Sequence, residues 1–441
     1  MTAGRARVDG STGAVGSAPD IAPPLRAGGN VRWVICALLF FATTINYIDR
    51  QVIGILKPTL QGELGWSEVD YGTIVFWFQA AYAIGLLLCG PVIDRIGSKL
   101  GYAAAITVWS LAALAHALVR SPGGFATMRF ALGLGESANF PAAIKSVAEW
   151  FPKKERALAA GILNAGANVG AIATPIIVPI IALTYGWQAA FIGTGLLGFI
   201  WLAAWLAFYR APEHHPRLSQ QELAYITSDQ DNDAGAAPIP WRDLFRRRAT
   251  WSFVCAKFLT DPVWYLFLFW LPDFFAKRHG LDLKTFGPPL IAVYLLADVG
   301  SIGGGWLSSA LIKRGFSVNA GRKLALLVCA LGVLPIMFAS TVSSLVAAVA
   351  IIGLAAAAHQ GWSSNLYTMV SDTFPKSSVA SVMGIGGAAG AVGGMIMARY
   401  VGHVLETVGS YAPVFVWAGT AYLLALAIVH VLVPRLDPKA V

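Results

Sequence analysis

Asn46-Tyr47-Ile48-Asp49-Arg50 sets a carboxylate beside a guanidinium inside an otherwise apolar run, Val31 to Leu56. An uninterrupted run of that length reads as a membrane-spanning helix. Each ion near a bilayer centre costs about 2.5–3.5 kcal/mol, so an adjacent acid and base imply work on charge. Such groups ordinarily face a water-filled cavity inside a helix bundle, where they meet ions or charged solutes. The rest of the chain must supply that bundle.

It does. The 441 residues are 56% hydrophobic and only 12% charged, about half the charged share of a soluble protein. Apolar stretches of spanning length occur at 31–56, 70–93, 99–119, 123–148, 156–183 and 187–209. Six more lie at 249–276, 285–311, 321–341, 344–371, 377–402 and 411–434. This predicts an all-α membrane protein of twelve transmembrane helices. The sixth and seventh spans are separated by a polar stretch, so two bundles are expected, 31–210 and 249–434, joined by a linker over 211–248. The linker carries a short helix, Ser219 to Ile226. Residues 1–30, rich in Gly, Ala, Ser and Pro, read as a disordered tail rather than a signal peptide, and 435–441 as a second tail.

The placement of basic residues orients the chain. With both termini on one side, that side receives nearly all the Lys and Arg, and the opposite loops hold only Lys57, Arg120, Lys277, Arg278 and Lys284. The net charge of +9 therefore follows membrane topology and does not indicate nucleic acid. Both termini are expected in the cytoplasm, with the protein in a bacterial inner membrane. Cys36, Cys89, Cys255 and Cys329 all fall in apolar runs without Cys-x-x-Cys spacing, which predicts small buried side chains and no metal site. No His-Glu-x-x-His, Gly-x-Ser-x-Gly or phosphate loop supports an enzyme, and no cofactor is expected. Gly384-x-Gly386-x-x-Ala389 imitates a dinucleotide fingerprint but follows no strand.

An internal repeat links the halves. Glu149-Trp-Phe-Pro-Lys153 follows the fourth span and Asp372-Thr-Phe-Pro-Lys376 the tenth, and parallel repeats of this kind are one of the known ways transporters are assembled. The fourth span brings Arg129 and Glu136 seven residues apart, on one helical face and about 10 Å apart along the axis. With Asp49 and Arg50, four ionisable groups on two spans would cost roughly 10 kcal/mol unless they meet water, a solute or each other. Polar residues pointing inward are further candidates for contact with a solute. They are Gln79 and Tyr82 on the second span, and Asn164 and Asn168 on the fifth. The seventh offers Lys257, Asp261, Trp264 and Tyr265, and the tenth His359, Gln360, Ser363, Ser364 and Tyr367. Helix–helix hydrogen bonding is the alternative role for each. Gly386-x-x-x-Gly390-x-x-x-Gly394 and Gly166-x-x-x-Gly170 predict close helix approach.

Gly90-Pro-Val-Ile-Asp94-Arg95-Ile-Gly97-Ser98-Lys99 resembles the loop signature of the major facilitator superfamily, Gly-x-x-x-Asp-Arg-x-Gly followed by two basic residues, with Ser98 in the first basic slot. A turn glycine, an acid and a base can latch neighbouring helix ends in one conformation. The matching loop of the second half, Gly305 to Gly315, has Ser309 in the acidic slot. Asn46 to Arg50, Gly135-Glu-Ser-Ala-Asn-Phe-Pro-Ala-Ala-Ile-Lys145 and Glu149 to Arg156 resemble the anion:cation symporter family of that superfamily. The stretch His359 to Lys376, followed by Ala380 to Gly387, is most similar to its bacterial hexuronate transporters.

The resemblance implies the major facilitator fold in two pseudo-symmetric halves and uptake of a sugar acid with protons. Galacturonate or glucuronate is the first expectation, and an aldonate such as galactonate the alternative. It further implies that Asp49, Glu136 and Arg129 handle the proton. Arg50 would hold the substrate carboxylate, with Asn46 and Tyr82 beside it and Asn164, Asn168, Asp261, Tyr265, His359, Gln360 and Ser364 as further contacts. Gly90, Asp94, Arg95 and Gly97 would form the conformational latch. The protein is expected to act as a monomer in the lipid bilayer.

Overall fold

A computed structural model describes residue 2, residues 29–228 and residues 239–436. The expected tails therefore lie largely outside the described residues, as does part of the linker. Among the described residues all regular structure is helical. The first half contains α1 (Val31–Leu64), α2 (Glu68–Ile96), α3 (Ser98–Ala115), α4 (Pro122–Glu136), α5 (Asn139–Trp150), α6 (Lys153–Tyr185) and α7 (Trp187–Phe208). The linker holds α8 (Gln220–Thr227) and α9 (Trp241–Leu244). The second half contains α10 (Arg248–His279), α11 (Gly287–Lys313), α12 (Val318–Val333), α13 (Leu345–Thr373), α14 (Lys376–Thr407) and α15 (Ala412–Leu432). Eleven helices, some extended by a 3₁₀ turn, are long and apolar enough to cross a membrane, and α4 with α5 makes a twelfth crossing from two pieces.

That interruption corrects the continuous fourth span expected over 123–148. Pro141 has no N–H, and its ring would collide with a carbonyl four residues earlier inside a helix, but it is tolerated in a first turn. Here it is the third residue of α5, so the helix must restart just before it, and α4 stops at Glu136.

A second correction concerns α1, which runs past Leu56 to Leu64 and ends on Gly65, a left-handed cap at φ 68°. At 34 residues α1 spans about 50 Å, well beyond the hydrocarbon thickness. Lys57, expected in a loop, lies inside this helix and is fully buried.

Small residues set the helix spacing. Gly166 and Gly170 of α6 lie on the backbone of α1 at Phe40 and Thr44, while Gly386, Gly390, Gly393 and Gly394 of α14 face α10. Between the halves, α2 and α14 touch with no side chain intervening. A Cβ on Gly72 would fall 2.6 Å from the Ala398 carbonyl oxygen, and one on Gly402 2.7 Å from that of Glu68.

The linker helix is docked. Buried Glu222 of α8 accepts from the backbone N–H groups of Val31 and Arg32 at 3.3 Å and from the Arg32 guanidinium at 3.0 Å. A carboxylate there complements the N-terminal dipole of α1.

Candidate functional site

Where α1 crosses α4, the four expected charges come together. Arg50 Nε donates to Glu136 Oε2 at 2.9 Å, and the guanidinium reaches Asn46 Oδ1 at 3.4 Å. Its faces meet the rings of Tyr82 (4.6 Å), Tyr47 (5.0 Å) and Phe78 (5.4 Å). Such cation–π contacts, at about 0.5–2 kcal/mol each, repay part of the desolvation of an enclosed arginine. Arg129 Nη1 donates to the backbone oxygens of Asp49 (3.4 Å) and Arg50 (3.3 Å), which ties α4 to the stretch of α1 carrying the charges.

Much of this polarity is unspent. Among the described residues, Glu136 Oε1, Asn46 Nδ2, two Arg129 nitrogens and both amide atoms of Gln79 have no hydrogen-bond partner. The Thr194 hydroxyl of α7 is the side-chain donor facing Asp49. Orphaned buried groups are costly, at about 1–3 kcal/mol each, and their concentration here makes this cluster the candidate site. The hydrated vestibule expected around them is not open here. Asp49, Arg50, Arg129 and Glu136 are 0–2% exposed.

The second half presents a smaller ion pair. Lys257 Nζ lies 2.7 Å from Asp261 Oδ2, one turn along α10, and donates to the Tyr367 hydroxyl of α13 at 2.9 Å. Tyr265, one turn along α10 from Asp261, stacks on Phe269 at 6.4 Å; Phe269 meets Phe78 at 5.7 Å, and Phe78 stacks on Tyr82 at 6.0 Å. A layer of aromatic rings, with the phenols of Tyr82 and Tyr265 at its ends, thus runs from the Arg50–Glu136 pair toward the Lys257–Asp261 pair. Lys257 and Tyr367 were legible as part of the polar stripes on the seventh and tenth spans.

Other candidates sit elsewhere. His359 stacks on Trp264 and its Nδ1 contacts the Tyr422 hydroxyl at 2.5 Å, a packing role inside the second half. Ser364 bonds to Ser301 of α11 and to its own helix at Gln360 O, so it joins α13 to α11. Gln360 is half-buried. Asn164 is exposed and Asn168 half-buried, and neither hydrogen-bonds to the central cluster among the described residues.

The basic end shows the latch in modified form. Asp94 pairs with Lys145 of α5 at 3.0 Å, Lys145 also donates to Ile93 O, and Arg95 is exposed without an ion pair among the described residues. Gly97 adopts φ 81° between α2 and α3, a turn conformation that favours glycine, whereas Gly90 has open space around it. The repeated acids have matching jobs. Glu149 accepts from Ser98 at the start of α3, and Asp372 pairs with Arg322 near the start of α12 at 3.0 Å.

The opposite, far end holds a network that the sequence reading missed. Lys57 of α1 contacts Glu68 of α2 at 2.8 Å and Asp273 of α10 at 2.6 Å, and its ammonium lies 5.1 Å from the Tyr71 and Trp270 rings. Lys277 bonds the same two carboxylates at 2.5 and 3.2 Å, and the Tyr411 hydroxyl donates to Asp273. Nearby, Tyr71 donates to Phe269 O at 2.7 Å and the Glu68 N–H to Glu406 at 2.9 Å. These bonds close the far end across the two halves. At the basic end no ion pair joins one half to the other among the described residues.

Comparison with known proteins agrees with this architecture. The model of the Major Facilitator Superfamily matches residues 39–398. The Hexuronate transporter of Escherichia coli (strain K12) is 34% identical over 390 residues, covering 87% of this chain and 90% of that protein. The Galacturonate transporter of Dickeya chrysanthemi is 36% identical over 307 residues, covering 68% and 88%. Among solved structures, a bacterial homologue of the human lysosomal transporter Spinster, in inward-facing and unoccupied conformation, superposes with a TM-score of 0.67. It is 18% identical and covers 92% of this chain and 95% of that one, a likeness of fold.

Proposed function

This chain belongs to the Major Facilitator Superfamily as a multi-pass membrane transporter, not an enzyme, and we propose that its cargo is a sugar acid. Specifically, it imports a hexuronate such as galacturonate or glucuronate with protons, by alternating access. The names of its relatives support that cargo class. One observation carries the chemistry: a buried Arg50–Glu136 pair at 2.9 Å whose second carboxylate oxygen has no partner.

An arriving carboxylate forms its strongest bonds with a guanidinium. When it takes Arg50, Glu136 loses its nearest cation, and an uncompensated carboxylate in a dry site is costly enough that taking up a proton becomes the cheaper course. Release of substrate frees Arg50, which recaptures Glu136 and expels the proton. Anion and proton binding are then linked by competition for one cation. Arg129 holds the backbone of α1 in place, and Asp49, buried without a cation bonded to its carboxylate among the described residues, is a second proton acceptor. One proton carried with one monoanion also moves no net charge against an inside-negative potential, which would cost about 2.3 kcal/mol per charge per 100 mV.

Asn46 and Tyr82 beside Arg50, with Tyr265 in the ring layer and Asp261 beyond it, would read the hydroxyls. The protein works as a monomer in a bacterial inner membrane. Its basic end faces the cytoplasm, so the conformation described is closed toward the exterior. Proteoliposome uptake tests the coupling. Glu136→Gln should retain substrate counterflow and lose accumulation under an imposed pH gradient; accumulation equal to that of the unmodified protein would remove Glu136 from the proton path.

A further inference from the structure

The second half carries a buried cation that the coupling scheme does not use. Lys257 and Asp261 are nearly enclosed, with side-chain exposures of 6% and 13%, and bond at 2.7 Å. Space for the carboxylate is made by α14, where Gly390 lies directly against Asp261 and any side chain would collide with it. Lys257 is the charged group acting on Asp261, and no second acid neutralises Lys257 among the described residues. Tyr367, 41% exposed, holds the third corner at 2.9 Å from Nζ. From Arg50 toward this pair the rings of Tyr82, Phe78, Phe269 and Tyr265 follow one another in contact, and Tyr265 lies one turn along α10 from Asp261.

A six-carbon sugar acid held by its carboxylate at Arg50 must direct its other end toward that ring layer. We propose that Asp261 is a specificity-determining residue: by cancelling Lys257 it makes the far end of the binding site neutral, so that the site accepts sugar acids with one carboxylate and rejects those with a carboxylate at each end. A hydroxyl at that end can donate to Asp261 and accept from Tyr367. A second carboxylate would instead meet the Asp261 charge, with the ammonium already engaged. Rejection by an unfavourable charge is a more powerful discriminator than loss of one contact. The proposal rests on the sugar-acid reading above and adds the charge rule at the end remote from Arg50.

The test is binding and competition with galacturonate (one carboxylate) and galactarate (two), measured by ligand-induced thermal shift on purified protein and by counterflow in proteoliposomes. The unmodified protein should favour galacturonate. Asp261→Asn leaves Lys257 uncancelled and should raise the relative affinity for galactarate by about tenfold or more. Lys257→Gln leaves the acid alone and should weaken both ligands, galactarate the more. The double variant Lys257→Gln/Asp261→Asn restores neutrality and should return the preference to galacturonate, which separates charge matching from general damage. If Asp261→Asn leaves the ratio unmoved, or the double variant keeps the ratio of the single one, the proposal is overturned. A wild type that binds neither acid overturns the sugar-acid reading together with it, whereas galacturonate binding with an unmoved ratio overturns this proposal alone.

Discussion

Replacing Lys57 by Met should open the far end of the molecule. In the structure Lys57 is fully buried, bonds two carboxylates from different halves at 2.8 and 2.6 Å, and sits against two aromatic rings. Removing one member of a buried ionic network costs about 3–5 kcal/mol, because the remaining charges stay dehydrated. Lys277 still reaches both acids, but at 41% exposure it compensates only in part, and the lost cation–π contacts add to the penalty. A net loss of about 3 kcal/mol falls on the closed conformation alone, since separation of the halves hydrates both acids. That shifts the closed-to-open ratio by about a hundredfold. Spin labels at Gly62→Cys and Lys284→Cys, both exposed at that end, report the change as a distance distribution in a background lacking the four native cysteines. The unmodified chain should give the shorter separation and Lys57→Met a dominant longer one. Identical distributions would refute the reasoning.

Other consequences are equally direct. Gly72→Val places methyl groups where a Cβ already lies 2.6 Å from the Ala398 carbonyl oxygen, so the halves cannot close there; the same label pair should show the longer distance, and net uptake should fall by tenfold or more, about 1.4 kcal/mol of closure energy. Asp94→Asn removes an ion pair whose partners are 73% and 26% exposed, so thermal stability should change by less than about 1 kcal/mol. If the Asp94–Lys145 contact latches one conformation, the uptake rate should nonetheless move, and Lys145→Ala should give the same change.

The central charges were legible because an ion within an apolar run admits few explanations. Asp49, Arg50, Arg129 and Glu136 are conspicuous one residue at a time, and helical spacing alone placed Arg129 and Glu136 together. The glycine stripes likewise pointed to close helix approach, though not to the partner helix. Lys57 failed for the opposite reason. A lysine at the edge of a hydrophobic run looks like the end of a span, and the two acids that neutralise it lie in the next helix and 216 positions away in the sequence. The break between α4 and α5 did carry a local signal in Asn139-Phe140-Pro141, but the hydrophobic count ran straight across it. Which polar residues meet was beyond the sequence, since Ser364 and His359 differ from Asp261 and Tyr265 only in the direction their helix faces.

The two ion pairs at the centre share a property of ownership. Arg50 and Glu136 both belong to the first half, and Lys257 and Asp261 both to the second, whereas Lys57 reaches from one half into the other. Each half can therefore swing as an electrically self-contained body at its middle, without pulling opposite charges apart in a medium of low polarity. The Coulombic work of parting the two halves is confined to the rim, where arriving water can take over the bonds as they break. A carrier wired in this way can keep a strongly charged heart and still rock quickly.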